Sequence, residues 1–307
     1  MTSKGTVAGP IDIGTVAQPP FVRLPDLTTV FSRRAARLEF LAPGNYMADY
    51  LLFVATVMRA QAEVAAGLSE GTLPGPADIA FAHEHKLPIL DRLTWQRDPS
   101  WQAALDGIAA ALEDVAMPPA ASAALAALRR SDRVAREAVA DRLLRTTEVA
   151  EDAATAFFVN AALQLYWTRM AALLDRESVV PVDPSVLCPV CGSPPVGSAV
   201  YAQGSLQSVR FLSCPLCACE WHCVRIKCAS CQSTKGIAYQ HIAGQSPWLK
   251  AETCDECRTY TKIVYKEKDA DADPFADDLA SVGLDILVGE AGWARANANP
   301  FLVAAAS

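Results

Sequence analysis

Apolar residues recur at helical spacing between residues 27 and 176, in a stretch rich in alanine and leucine. One apolar stripe stops at Pro43 and Gly44, two residues that break helices, and it consists of Val30, Phe31, Ala35, Leu38 and Leu41. Asn45 can cap a second helix, whose inner face would carry Leu51, Val54, Met58 and Ala62. These residues are expected to form core rather than a functional site.

Further helices follow, and residues that cap or break helices again mark their ends. Asp98 and Pro99 supply a cap and a first-turn proline, after which apolar residues line one face at positions 101, 105, 108 and 112. A long helix is predicted over about residues 147–175. An all-α bundle is the simplest architecture for this part of the chain.

The pattern changes after residue 180. Short strand candidates end just before Cys214 and Cys254, and a last helix is suggested by Leu279, Val282, Ile286 and Gly289. The predicted fold class is therefore α+β: an N-terminal helical domain, two tandem rubredoxin-like or zinc-ribbon modules and a C-terminal helical tail. The predicted boundaries are an extended or disordered segment at 1–26, a helical domain at 27–180, a first ribbon at 185–226, a second ribbon at 227–268, and an acidic connector with a helix packing on the modules at 269–307.

Eight of the ten cysteines form four Cys-x-x-Cys pairs that repeat at one fixed offset. The pairs at 188 and 214 recur forty residues later at 228 and 254, with the same separation inside each unit. A two-residue gap lets both sulfurs of a knuckle reach one ion, and a second knuckle completes a tetrahedron. The sequence thus predicts two metal ions, held by Cys188, Cys191, Cys214 and Cys217 and by Cys228, Cys231, Cys254 and Cys257.

Disulfides and redox thiols explain this pattern less well. Residues 1–22 show no basic start followed by a long apolar run, so we expect a cytoplasmic protein with reduced thiols. A thioredoxin-like protein would carry one such pair in a βαβ unit, whereas this chain crowds four into residues 188–257.

Composition narrows the function further. The chain of 307 residues is 51% hydrophobic and has a net charge of −7, and it has no apolar run long enough to span a membrane. Between residues 188 and 266, lysine and arginine exceed the acids by four, which eight thiolates and two divalent ions would offset. This balance disfavours nucleic acid as a partner.

No catalytic motif appears, so the sequence predicts no enzyme. His83 and His85 lie on different faces of a helix, and neither a nucleophile elbow nor a phosphate-binding glycine loop is present. The acidic run from Asp269 to Asp278 is interpreted as a solvated connector and a helix start. Cys219 and Cys223 lie outside the repeat and could form a third site, although spare thiols on a strand are the favoured interpretation.

Several stretches resemble the formate dehydrogenase accessory protein family, FdhE. They include Cys-Pro-Val-Cys-Gly-Ser-Pro-Pro-Val from residue 188, Glu-Trp-His at 220–222, Lys-Ala-Glu-x-Cys-Asp-x-Cys at 250–257 and Asp-Asp-Leu-Ala-Ser from residue 277. Gly-Trp-Ala-Arg from residue 292, Asn-Pro-Phe-Leu from residue 299 and upstream matches at 34–38 and 49–51 extend the similarity over nearly the whole chain after residue 20.

The resemblance implies a cytoplasmic maturation factor that is required for activity of respiratory formate dehydrogenase and that binds its catalytic subunit. It also implies rubredoxin-like sites at the eight cysteines, with iron as the associated metal. The residues themselves leave zinc open, since Gly192 ends one knuckle as in rubredoxin but Ala218, Gln232 and Arg258 end the others. An iron-thiolate electron carrier or a sulfur-handling protein is the alternative function. Candidate partner-binding residues beside the knuckles are Trp221, Arg225, Tyr239, Trp248 and Tyr260.

Overall fold

The first half of the chain is helical and the second half is built on a sheet, so the predicted α+β class is confirmed. The structure is a computed structural model that describes residues 19–68, 71–145, 152–202 and 208–302. Within those ranges the helical half contains α1 (Val30–Leu41), α2 (Ala48–Ala65), α3 (Pro76–His85), α4 (Ser100–Ala111), α5 (Pro119–Arg130), α6 (Arg133–Arg145) and α7 (Ala153–Ala172).

Helix α7 is the central element of the helical half. It is apolar on every side, and Phe158, Leu165 and Trp167 are fully buried. Helices α2, α4, α5 and α6 pack around it. A helix that is hydrophobic all round must lie inside the molecule, because it has no polar face to turn toward water.

The helix starts follow side-chain caps, with local differences from the sequence interpretation. Asp152 accepts hydrogen bonds from the first amides of α7, so this helix begins at Ala153; residues 147–151 of the predicted helix lie outside the described residues. Asn45 does not cap α2 directly. Its side chain accepts from the Met47 amide, and the helix begins one residue later at Ala48.

The second half forms one continuous sheet rather than two separate ones. The strands are β1 (Val22–Arg23), β2 (Gly197–Tyr201), β3 (Val209–Ser213), β4 (Glu220–His222), β5 (Ile237–Gln240), β6 (Leu249–Cys254), β7 (Thr259–Tyr265) and β8 (Ala294–Arg295). They run in the order β1-β4-β3-β2-β7-β6-β5, with β8 beside β7. Strands β2 and β7 pair in parallel and join the two cysteine repeats, whereas pairing within each repeat is antiparallel.

The N-terminal segment contributes the outermost strand of this sheet. Val22 pairs with Trp221 and Arg23 with Glu220, and Val22 is buried. Of the segment 1–26 that was expected to be extended or disordered, Val22 and Arg23 form β1, while residues 1–18 lie outside the described residues.

The acidic segment after the sheet differs from the solvated connector that the sequence suggested. Asp273 does cap α8 (Pro274–Leu279), but Asp277 and Asp278 are 1% and 0% exposed. Asp277 accepts two hydrogen bonds from Arg37 of α1, at 2.9 and 2.7 Å. Asp278 forms ion pairs with Lys262 and Arg295. Buried carboxylates need such partners, and here the partners tie the helical half to the sheet.

The tail holds two short helices where one was expected. After α8, α9 (Val282–Glu290) turns Leu284 and Val288 inward and leaves Ile286 56% exposed, so Ile286 does not belong to the buried face that was predicted. None of the helices in the described part of the chain combines the length and apolar character that a membrane span requires.

Candidate metal centres

Each Cys-x-x-Cys pair forms a tight turn that ends in a left-handed residue. The φ angles at these four positions are 71°, 56°, 63° and 56°, at Gly192, Ala218, Gln232 and Arg258. Left-handed backbone is strained for residues that carry a Cβ atom, so three of the four turns are held by what surrounds them. The four knuckles therefore have one geometry despite their different sequences.

Backbone hydrogen bonds close the knuckles in the same way. The amide of the first cysteine donates at 2.9 Å to the carbonyl five residues later, from Cys188 to Ser193, from Cys214 to Cys219 and from Cys228 to Ser233. In the fourth knuckle the corresponding residues, Cys254 and Thr259, pair across β6 and β7.

The first candidate centre combines a knuckle before β2 with the knuckle between β3 and β4. Antiparallel pairing places Gly197 opposite Ser213 and so brings the two turns together. The sulfur atoms of Cys188 and Cys217 lie 3.4 Å apart, as do those of Cys191 and Cys214. All four cysteines are buried.

The second candidate centre repeats this arrangement with the knuckle before β5 and the knuckle between β6 and β7. The sulfur atoms of Cys228 and Cys257 lie 3.8 Å apart, and those of Cys231 and Cys254 are separated by the same distance. This centre is more open, because Cys231 is exposed and Cys257 is half-buried.

The sulfur geometry fits a tetrahedral metal and excludes disulfides. In each group the four sulfur atoms lie within 4.8 Å of one another, and all ten cysteines are free. Metal–sulfur bonds of about 2.3 Å imply tetrahedron edges of about 3.8 Å, whereas a disulfide would need about 2.05 Å. Each group could hold one metal ion, and these are the two clusters of potential ligands found among the described residues.

Nearby donors suit bound thiolates. The amides of Leu216 and Cys217 donate to Cys214 Sγ at 3.4 and 3.3 Å. Hydroxyl groups also lie beside sulfur: Ser193 Oγ is 3.3 Å from Cys191 Sγ, and Thr259 Oγ1 is 3.0 Å from Cys257 Sγ. Such groups orient the ligands and lower the charge density on sulfur.

The buried thiols of the first centre cannot all ionise by themselves. Burial raises the pKa of the Cys217 thiol well above its usual value. Burial also opposes ionisation of Cys188, but hydrogen bonds from Cys214, Cys217 and Cys219 outweigh it and lower the pKa of Cys188 to about 6. Burial therefore opposes the collection of four negative charges in this cage, and a bound cation would compensate them.

The helical half covers the first centre from two sides. On one side, Gln164 and Thr168 of α7 donate to the carbonyls of Pro215 and Leu216 at 2.8 and 3.4 Å. On the other side, the loop between α3 and α4 donates from Leu90 and Arg92 to the carbonyls of Val190 and Cys191, at 2.7 and 2.9 Å. At the second centre the tail donates from Ala294 to the carbonyl of Arg258 at 2.9 Å, but Cys231 stays exposed and Cys257 half-buried. The two centres thus differ in access although their ligand sets are alike.

The two cysteines outside the repeat do not join either ligand group. Cys219 is fully buried and occupies the position held by Ser193 and Thr259 in other knuckles, so its thiol lies beside the first centre as a neighbour of the ligands. Cys223 lies just beyond β4 and is half-buried. Neither thiol belongs to a cluster of potential metal ligands among the described residues, and burial raises the pKa of both.

A buried ion pair between the two repeats was not anticipated from the sequence. Arg210 of β3 donates to Glu252 of β6 at 2.9 Å and to Ser198 of β2 at 3.1 Å, and both charged side chains are buried. Arg210 and Glu252 are 42 positions apart, so no local sequence pattern predicts the pair.

The aromatic residues proposed as partner contacts are mostly packing residues. Trp221 and Tyr260 are buried, and Trp248 donates to Asp277 at 2.6 Å. Tyr239 remains 36% exposed, and Arg225 lies on the surface.

A helical region followed by a sheet with two four-cysteine clusters places this chain among proteins with tandem ribbon modules of the zinc-ribbon type. Family models for FdhE match almost the entire described chain: the N-terminal model at residues 19–184, the central domain at 187–225 and the C-terminal domain at 226–302. The chain therefore belongs to the FdhE family, as the sequence resemblance indicated.

Individual relatives agree with this assignment. A protein FdhE homolog from Edwardsiella ictaluri is 40% identical over 280 residues, which are 91% of this chain and 90% of the relative. A homolog from Rhizobium meliloti is 37% identical over 96% of both chains. The crystal structure of the FdhE protein from Pseudomonas aeruginosa aligns with a TM-score of 0.85 and 36% identity, covering 94% of this chain and 100% of that one.

Proposed function

We propose that this chain is a cytoplasmic accessory protein that supports maturation of a respiratory formate dehydrogenase by binding its catalytic subunit, and that it catalyses no reaction itself. Membership of the FdhE family along all three family segments carries this proposal. The covered first centre supports a binding role, because four buried ligands leave no open position where a substrate could reach a metal.

The proposed ligands are the eight repeat cysteines, four for each ion. Iron is favoured by the family resemblance and zinc is the alternative, since both accept four thiolates in a tetrahedron. A bound ion would neutralise the thiolates and fasten the two knuckles of each ribbon, contributing about 10–16 kcal/mol per site if the ion is zinc. The protein's own part is to hold the left-handed turns and to donate amides to the sulfur atoms.

Electron transfer is the second candidate function, and the exposure of the second centre favours it. Cys231 is exposed and Cys257 half-buried, so an iron ion held there would lie close to a docked protein. The first centre offers no such approach, because all its ligands are buried beneath the helical half.

Co-purification tests the binding proposal directly. The tagged full-length chain is expected to retain the catalytic subunit of formate dehydrogenase expressed from the same organism. A chain that retains no subunit, in cells where the dehydrogenase is made and inactive without the accessory protein, would contradict the proposal.

Metal analysis of protein purified without oxygen separates the two functions. Two irons with an absorption that bleaches and recovers reversibly would support electron transfer at the open centre. Two zinc ions, or iron that does not change oxidation state, would leave a binding scaffold.

A further inference from the structure

An apolar groove lies between the helical half and the C-terminal tail. Its main cavity measures about 750 Å³ and adjoins a second of about 590 Å³. Tyr50, Phe53 and Pro118 form the wall that the two cavities share. Helices α2, α5, α7 and α9 supply most of the lining, so the groove is built on regular secondary structure.

The walls are aromatic and held in place by packing. The ring of Phe53 stacks on that of Phe157 with 5.3 Å between the ring centroids, and the ring of Phe157 meets that of Phe301 edge-on with 4.8 Å between the centroids. Phe157 and Phe158 are almost fully buried, which anchors the floor. A large apolar cleft with pre-arranged aromatic walls is the usual form of a binding site for an apolar ligand.

The charges at the two ends of the groove differ. At one end Asp278 and Asp285 both pair with Lys262 and Arg295, so two acids balance two bases and no net charge is left there. At the other end Asp49 lines the wall, and Asp114 precedes the wall residue Val115. Both acids are exposed, and neither has an ion-pair partner within the described residues. This end would attract a cation.

The two segments that adjoin the lining residues in sequence lack the complementary charge. Residues 146–151 precede the wall formed by α7 and contain two glutamates, and residues 303–307 follow Leu302 and contain no charged residue. Neither offers lysine or arginine to the acidic end. A fatty acid or an anionic lipid would bring the wrong sign as well.

We propose that this groove binds an apolar segment of another polypeptide that carries lysine or arginine at one end. The apolar run lies against the aromatic walls, and the cationic end faces Asp49 and Asp114. This proposal deepens the proposed function, because the bound segment would belong to the client protein. It resembles the helix-in-groove recognition that other binding proteins use.

Peptide binding tests the groove in the full-length, metal-loaded protein. The probe is a fluorescein-labelled peptide in which two arginines precede a run of leucine and alanine, and binding is followed by fluorescence anisotropy. A peptide with glutamates in place of the arginines should bind at least about tenfold more weakly if the acidic end contributes as argued.

Two substitutions locate the binding site. Ala120→Trp fills the main cavity from the start of α5 and should raise the Kd of the arginine peptide about tenfold or more. Ala123→Trp, on the same exposed helix but outside the groove walls, should leave the Kd unchanged. Asp49→Lys should weaken binding about two- to fivefold, as expected of an exposed charge pair, whereas Glu84→Lys on α3 should not.

Several results would overturn the proposal. Equal affinity for the arginine and glutamate peptides would show that the acidic end does not contribute to binding. Unchanged affinity in the Ala120→Trp protein would show that the peptide does not bind in the groove. Binding by a chain that ends at Leu302 and none by the full chain would show that residues 303–307 occupy the groove. Preference for vesicles of anionic phospholipid over the peptide would exclude a polypeptide ligand.

Failure of this proposal is distinguishable from failure of the proposed function. If the Ala120→Trp protein still co-purifies with the catalytic subunit, the groove is not the client site although the function stands. If the peptide binds in the groove but the unaltered chain retains no catalytic subunit, the groove stands and the function falls.

Discussion

The two candidate centres should release their metal at very different rates when a chelator is added. The first centre opens only if the helical half moves away, which breaks the hydrogen bonds from Gln164, Thr168, Leu90 and Arg92 to the knuckle carbonyls. At about 1 kcal/mol for each bond, this opening costs about 4 kcal/mol and slows release about a thousandfold. The second centre, with Cys231 exposed, has no such barrier.

Zinc-loaded protein and a coloured chelator give the assay. The release of zinc should follow two phases of equal amplitude, whose rates differ by about three orders of magnitude. Cys257→Ala should remove the fast phase and Cys188→Ala the slow one, because each ends four-thiolate coordination at one centre. Gln164→Ala should speed the slow phase about 5- to 150-fold, since it leaves a buried carbonyl unpaired at a cost of about 1–3 kcal/mol.

A control and a refuting result complete this test. Gln245→Ala makes the same substitution at an exposed turn residue beyond β5 and should alter neither phase. Release of both ions in a single phase would show that the cover over the first centre does not govern access. Loss of the slow phase in the Cys257→Ala protein would show that the phases had been assigned to the wrong centres.

Three further predictions concern metal content and stability. Cys219→Ser and Cys223→Ser should each leave two metal ions per chain by elemental analysis, and a loss from either would return that thiol to the ligand set. Arg37→Ala should lower the free energy of unfolding in urea by about 3–5 kcal/mol, because it strands a buried carboxylate; Arg59→Ala, which breaks an exposed pair, should cost less than about 1 kcal/mol. Ala218→Gly should raise the free energy of unfolding by about 1 kcal/mol, and with it the midpoint temperature of thermal unfolding, because glycine adopts the left-handed conformation without strain. An unchanged or lower midpoint would contradict that geometry.

The cysteine spacing predicted the grouping of sulfur atoms well, because ligand geometry is local. A two-residue gap brings both sulfurs of a knuckle to one side of a turn, and the antiparallel pairs β2–β3 and β5–β6 then bring the two knuckles together. Apolar periodicity likewise found the helical half, since the buried stripe of α1 carries its own signal.

Long-range contacts could not be predicted in the same way. Asp277 and Asp278 looked like solvated acids because their partners, Arg37 and Lys262, lie 240 and 16 residues away, and no local pattern links them. The cover over the first centre also escaped prediction, since the glutamine and threonine of α7 that make it are ordinary polar residues inside an apolar run.

The pairing of the chain's beginning with its end affects when the protein can finish folding during synthesis. Arg37 meets Asp277 across 240 residues, so the ribosome must add those residues before the bond can form. At about 5–20 residues per second, this takes roughly 10–50 s. During that time Arg37 of α1 lacks its partner Asp277, and β1 cannot pair until β4 has been synthesised. A nascent chain therefore spends most of its synthesis with its first elements incomplete, and a chaperone has that interval in which to act.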